Sequence, residues 1–116
     1  MMQRDVLFTI GAPFEDSKYP GQKFFCRDCA TLDGALALNP HWRECIDIRK
    51  VDYRKPRPDV IDVLGVENQS CPVLIFADPN AAPEGSKQYE GRVFITEVKA
   101  ILNYLGQTYG GVLQHP

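Results

Sequence analysis

Asp5-Val6-Leu7-Phe8-Thr9-Ile10 is a short, β-branched apolar run that stops at Gly11-Ala12-Pro13, the pattern of a buried strand. Residues 11–25 bring Gly, Pro, Asp and Ser and then Phe24-Phe25, which predicts a long loop able to fold over residue 26. From Asp28 to Leu38 the apolar positions Leu32, Ala35, Leu36 and Leu38 recur at helical spacing, and Asn39-Pro40 ends the pattern. Residues 44–52 alternate apolar and polar over most of their length, predicting a strand with one buried face in which Cys45 is a small core residue. Pro56 and Pro58 introduce a short helix over 59–64, closed by Gly65. A second apolar run, Pro72-Val73-Leu74-Ile75-Phe76-Ala77, predicts another strand, residues 78–91 an exposed loop, and Arg92-Val93-Phe94-Ile95 a short strand. Thr96 is the expected N-cap of a last helix with Val98, Ile101, Leu102 and Leu105 on its apolar face, ended by Gly110-Gly111.

The resulting order, β-α-β-α-β-β-α, predicts an α/β fold: one domain over residues 1–116 with a mixed four-stranded sheet and helices on both faces. A chain of 116 residues is long enough to bury a core without staples. Its net charge of −2 offers no electrostatic footprint for nucleic acid. The N-terminal Met1-Met2-Gln3-Arg4-Asp5-Val6 lacks the apolar core of a leader, and no apolar run approaches membrane-spanning length, so a cytoplasmic protein with no membrane partner is expected. In that compartment four cysteines point to redox chemistry, metal binding or plain core packing rather than a disulfide framework.

The candidate chemistry centres on Phe25-Cys26-Arg27-Asp28-Cys29, a C-x-x-C where the loop gives way to the helical pattern. Unpaired N–H groups and the helix dipole favour a thiolate at a helix start, and the thiolate is the nucleophile. Cys26 is then the attacking thiol, and Cys29, one turn further in, the resolving thiol that releases the partner. Ser70-Cys71-Pro72 precedes the second apolar strand; a loop there would offer the backbone of Cys71 to an extended substrate and bring a third thiol near the pair. Phe25 either packs the long loop or shapes a substrate groove beside Cys26. His41 and Trp42 read as a helix-terminal cation and a packing anchor, and the charges of residues 49–55 as a solvated strand end.

The chain resembles the thioredoxin-like superfamily, as in glutaredoxins and the N-terminal domain of glutathione transferases. It is most similar, over nearly its whole length, to a small, uncharacterised bacterial family of thioredoxin-like proteins. Cys26 and Cys29 match that family's C-x-x-C after strand one, and Pro72, 43 positions after Cys29, falls where the superfamily keeps a cis-proline before its third strand. Glu97-Val98-Lys99-Ala100-Ile101-Leu102-Asn103-Tyr104-Leu105 resembles the transferase segment acid-Ser-x-Ala-Ile-x-x-Tyr-Leu, with Val98 in place of the Ser that helps hold glutathione. The loop of 15 residues between Ile10 and Cys26 is longer than in redox-active members, and Arg27-Asp28 replaces the usual residues between the cysteines.

The resemblance implies a thiol-disulfide oxidoreductase acting on protein or small-thiol disulfides, with Cys26 and Cys29 catalytic, Phe25, Cys71 and Pro72 contacting substrate, and no cofactor. A competing reading is a non-catalytic thioredoxin-fold binding module, one form of which holds a metal through its cysteines. Cys26-x2-Cys29-x11-His41-x3-Cys45 has finger-like spacing for zinc. However, a ten-residue helix puts His41 roughly 15 Å from Cys29. No metal is therefore assigned.

Overall fold

The chain forms β1 (Val6–Ile10), α1 (Arg27–Leu38), α2 (Trp42–Cys45), β2 (Asp47–Val51), α3 (Pro58–Leu64), β3 (Val73–Ile75), β4 (Lys87–Tyr89), β5 (Arg92–Ile95) and α4 (Val98–Tyr109). The structure, a computed structural model, describes residues 3–116. Met1 and Met2, part of the segment read above for a leader, lie outside the described residues. Among the described residues no helix is long and apolar enough to cross a membrane.

The strands make one mixed sheet in the order β2-β1-β3-β5-β4. β1 runs parallel to β2, a pairing that needs the crossover supplied by α1 and α2, and antiparallel to β3. β3 and β5 are antiparallel, and β4 closes the edge as a hairpin with β5. β1 is buried at every position because both faces of the sheet are covered. On one face Leu7, Leu74, Val93 and Ile95 pack against Leu32 and Leu36 of α1, Trp42 of α2, and Ile101, Leu102 and Leu105 of α4. On the other, Val6, Phe8, Val73, Ile75 and Phe94 pack against Val60 and Leu64 of α3. The alternation of 6 and 8 against 7 is the period of a pleated strand.

The α/β class and helices on both faces match the pattern reading, but the sheet has five strands, not four. The additional strand, β4, lies in the segment expected to be a loop. Tyr89 and Arg92 pair across Glu90-Gly91, both at positive φ (46° and 80°), the two-residue turn whose twist suits a hairpin. Tyr89 also lies on Gly65, whose φ of 82° ends α3 and whose missing Cβ leaves room for the ring. Two local expectations are corrected. Cys45 ends the single turn α2 rather than starting a strand, with its Sγ donating to the His41 carbonyl at 3.3 Å. The N-cap of α4 is Glu97 rather than Thr96, and no side chain caps it.

The ends of the chain are tied together by polar groups. The Trp42 indole donates to the Gly110 carbonyl at 2.8 Å, and His41 Nε2 lies 3.1 and 3.0 Å from the carbonyls of Tyr109 and Gly110, so both side chains hold the end of α4. Asp5, 5% exposed, accepts from the Ala77 N–H at 2.8 Å, the Tyr104 hydroxyl at 2.7 Å and the Tyr109 hydroxyl at 3.2 Å. Burial, then the hydrogen bond to Asp5, pushes the Tyr104 phenol upward; burial, then the Asp5 charge, pushes Tyr109 up to about 12. The neutral phenols are therefore favoured in the fold. Their contribution is complete below the ordinary value of 10.0 and is lost as pH rises through 12, because the unfolded chain gives up these protons first. Denaturant stability should fall between pH 10 and pH 12, and more shallowly in Tyr109→Phe. Equal slopes in the two proteins would break the assignment.

Candidate functional site

Cys26 closes the long loop and caps α1. Its backbone is extended, and its Sγ accepts from the Cys29 N–H at 3.3 Å, satisfying one of the unpaired donors of the first helical turn. The helix starts here because Arg27 to Cys29 carry no break and the apolar period begins at Cys29 and continues through Leu32 and Leu36, all buried. Cys26 is half-buried, whereas Cys29 is 2% exposed. The Cys29 Sγ accepts from the Ile10 N–H at 3.3 Å, which ties the second cysteine to the end of β1. Phe25 stands 67% exposed beside Cys26.

The third thiol arrives from β3. Paired residues run Val6 with Ile75, Leu7 with Leu74 and Phe8 with Val73. Continuing that register places Pro72 across from Thr9, and Cys71 across from Ile10, the residue whose N–H holds Cys29. Pro72 is buried and the Cys71–Pro72 peptide bond is cis. All four cysteines are free thiols.

The environments of the thiols differ. Burial, then the hydrogen bond with Cys26, pushes the Cys29 thiol up to about 12, with the charges of Cys26 and Cys71 adding to the rise. Burial also raises Cys71, but there the Arg57 guanidinium opposes the shift. Arg57, 5% exposed, donates to the carbonyls of Asp52 at 3.1 Å and Gln69 at 2.7 Å and also to that of Tyr53, while its own N–H donates to Gln69 Oε1 at 2.7 Å. Among the described residues the ion pairs are Arg49–Asp47 and Lys50–Asp33, so this buried cation has carbonyl partners but no carboxylate. Charge reading alone did not single it out. The one local signal was its position between Pro56 and Pro58, which fixes the backbone just before α3.

A cavity of about 540 Å³ opens beside Cys71, lined by Ile10, Tyr53, Arg54, Lys55, Arg57 and Ser70 as well. The long segment that leads into Cys26 is pinned to Tyr53, one of the residues lining this cavity. Phe14 and Phe24 exchange backbone hydrogen bonds at 2.9 and 2.8 Å, the Phe14 ring stacks on Tyr53 with centroids 4.3 Å apart, and the Tyr53 hydroxyl donates to Asp16 at 3.1 Å. His41 and Cys45 lie beyond the opposite end of α1, a 12-residue helix about 18 Å long, so the finger-like spacing does not assemble. Among the described residues no group of three or more His, Cys, Asp or Glu is placed to hold a metal ion.

A difference in reactivity follows. In reduced native protein, alkylation should reach the half-buried Cys26 before Cys29 and leave Cys29 unmodified until the pH approaches 12 or the protein unfolds. Peptide mass spectrometry across pH reads this directly, and early modification of Cys29 would contradict its placement.

Fold and site together define a mixed α/β domain with a capping cysteine, a buried second cysteine and a third thiol on the segment leading into β3. The family described as "Protein of unknown function (DUF3088)" matches residues 4–112, and the chain belongs to it. No curated protein and no solved structure matches the chain.

Proposed function

We propose that this protein is a thioredoxin-like thiol-disulfide oxidoreductase in which Cys26 attacks the disulfide of a protein or small thiol. The observation that carries the reading is the half-buried Cys26 at the N-cap of α1, whose Sγ accepts from the Cys29 N–H, with the Cys29 Sγ in turn held by Ile10, the residue that the β1–β3 register sets across from Cys71. The Cys29 N–H donates to the Cys26 Sγ at 3.3 Å, so a backbone dipole of the first turn is aimed at the sulfur. The connectivity supports the resemblance: setting the edge strand β4 aside leaves four strands in the order β2-β1-β3-β5, joined as β-α-β-α-β-β-α with helices on both faces. In this reading β4 is an addition at the edge. Free cysteines throughout accord with a reducing, cytoplasmic setting.

The chemistry needs no cofactor. Cys26 displaces one sulfur of the substrate and holds the other as a mixed disulfide, and a second thiol of the cluster then closes on Cys26 and frees it. The C-x-x-C pattern assigns that second role to Cys29. Phe25, exposed beside the nucleophile, offers an apolar surface for the substrate flanking the disulfide, and Cys71-Pro72 forms the opposite side.

The test is reduction of insulin and of a small aromatic disulfide with a dithiol reductant as the recycling agent. Acceleration over the reductant alone, abolished in Cys26→Ser, is the expected result. Acceleration that survives that substitution, or its absence in the wild type with both substrates, would sink the reading.

A further inference from the structure

We infer that Cys71, rather than Cys29, is the thiol that resolves the mixed disulfide on Cys26. This rests on the oxidoreductase reading above and changes its second step. Three observations separate the two candidates. First, Cys29 is 2% exposed and fixed by the Ile10 N–H on the core side of the helix, whereas Cys71 is only half-buried. A resolving thiol has to reach the Cys26 sulfur while that sulfur carries the substrate, and a half-buried group on the segment leading into β3 meets that need better than one packed in the core.

Second, a cation stands beside Cys71, where Arg57 lines the same cavity, whereas the Cys29 sulfur has the neutral Ile10 N–H as its donor. Arg57 is held in place by carbonyls of Asp52 and Gln69 and has no carboxylate competing for it among the described residues. Burial opposes ionisation at both thiols, but only at Cys71 does a guanidinium counter it. Third, the cavity of about 540 Å³ opens on Cys71 and is lined by Arg54, Lys55 and Arg57, so solvent and cationic side chains reach this thiol. Cys29 is not among the cavity's lining residues.

The sequence balances as two exchanges. The Cys26 thiolate attacks a disulfide R–S–S–R′, forming Cys26–S–S–R and expelling R′S⁻, which takes a proton from solvent. The Cys71 thiolate then attacks Cys26 Sγ, forming a Cys26–Cys71 disulfide, breaking the bond to R and expelling RS⁻. The substrate gains two electrons and two protons, and the cysteine pair loses them. A dithiol reductant returns the pair to thiols and is itself oxidised to a disulfide.

The experiment uses the full chain in a Cys45→Ser background, with equimolar 5,5′-dithiobis(2-nitrobenzoate) as the disulfide. Released thionitrobenzoate is followed optically, and linked peptides are mapped by mass spectrometry. Resolution releases about two equivalents and a stalled adduct about one. The parent and its Cys29→Ser variant should both release the second equivalent and yield a Cys26–Cys71 linkage. Cys71→Ser should slow that second release by ~100-fold and accumulate the adduct on Cys26. A Cys26–Cys29 linkage in the parent, or full second release in Cys71→Ser, overturns the proposal while leaving Cys26 as nucleophile. Absence of any adduct or linkage at Cys26 overturns the oxidoreductase reading and this inference with it. Mapping the parent decides the matter even if Cys29→Ser does not fold.

Discussion

Cys26→Ser is expected to lower disulfide-reductase turnover by at least ~10³-fold while leaving the folded protein as stable as the parent. The two halves of that expectation have separate causes. A factor of ~10³ corresponds to about 4 kcal/mol of lost transition-state stabilisation, reasonable when a thiolate is replaced by a hydroxyl that stays protonated at neutral pH. Stability is preserved because Cys26 does a second job that serine does at least as well. Its Sγ accepts from the Cys29 N–H at 3.3 Å, and Ser is among the preferred N-cap residues. Cys26→Ala removes the acceptor as well as the nucleophile and should cost about 1 kcal/mol by denaturant titration, besides losing activity. Equal stability losses in the two variants would mean that the cap contributes nothing. Retention of turnover by Cys26→Ser would place the nucleophile elsewhere.

β1, α1 and α4 were legible in the sequence because each carries an unbroken period: a run buried on both faces, or apolar residues returning every three or four positions. β4 was not legible, for three physical reasons. It spans only Lys87–Tyr89, its first two side chains are exposed and polar, and its turn is Glu90-Gly91 rather than the Asn-Gly or Asp-Gly that announces a hairpin. Polar, short edge strands resist further pairing, and the same features hide them from a pattern search. Cys45 was misplaced because residues 44–52 alternate over most of their length despite the adjacent apolar pair Cys45-Ile46, while a single helical turn at Trp42–Cys45 is too short to show a period.

The site divided in a similar way. The C-x-x-C at a helix start and the distance to Cys71-Pro72 are linear features and could be read directly. The unequal burial of Cys29 and Cys71 and the buried guanidinium of Arg57 could not, because they arise from residues 10, 52, 53 and 69 meeting in space. A cation just beyond a charged run carries no mark of burial in the sequence until the carbonyls that enclose it are known.

Asp5→Ala should destabilise the protein by about 3 kcal/mol, a substantial fraction of a small domain's margin of about 5–15 kcal/mol. Asp5 precedes β1 and looks like a polar strand end, yet it is 5% exposed and receives three hydrogen bonds: from the Ala77 N–H beyond β3 and from the phenols of Tyr104 and Tyr109 on α4. Alanine leaves a half-buried backbone donor and two phenols without their acceptor, and the loss of each partner exposes a desolvation cost that the bond had offset. The position also matters for topology. One carboxylate joins the chain's start, the end of its central strand β3 and its last helix, so its removal loosens the covering of the sheet by α4. Tyr104→Phe removes one donor and keeps the acceptor occupied, and should cost about 1 kcal/mol. Urea denaturation of the three proteins at pH 7 measures both differences. A loss in Asp5→Ala no greater than in Tyr104→Phe would show that Asp5 is an ordinary surface-like acid and that apolar packing alone fixes α4. A much larger loss, with the far-ultraviolet helical signal reduced before the main transition, would show that the carboxylate is the clasp that holds α4 to the sheet.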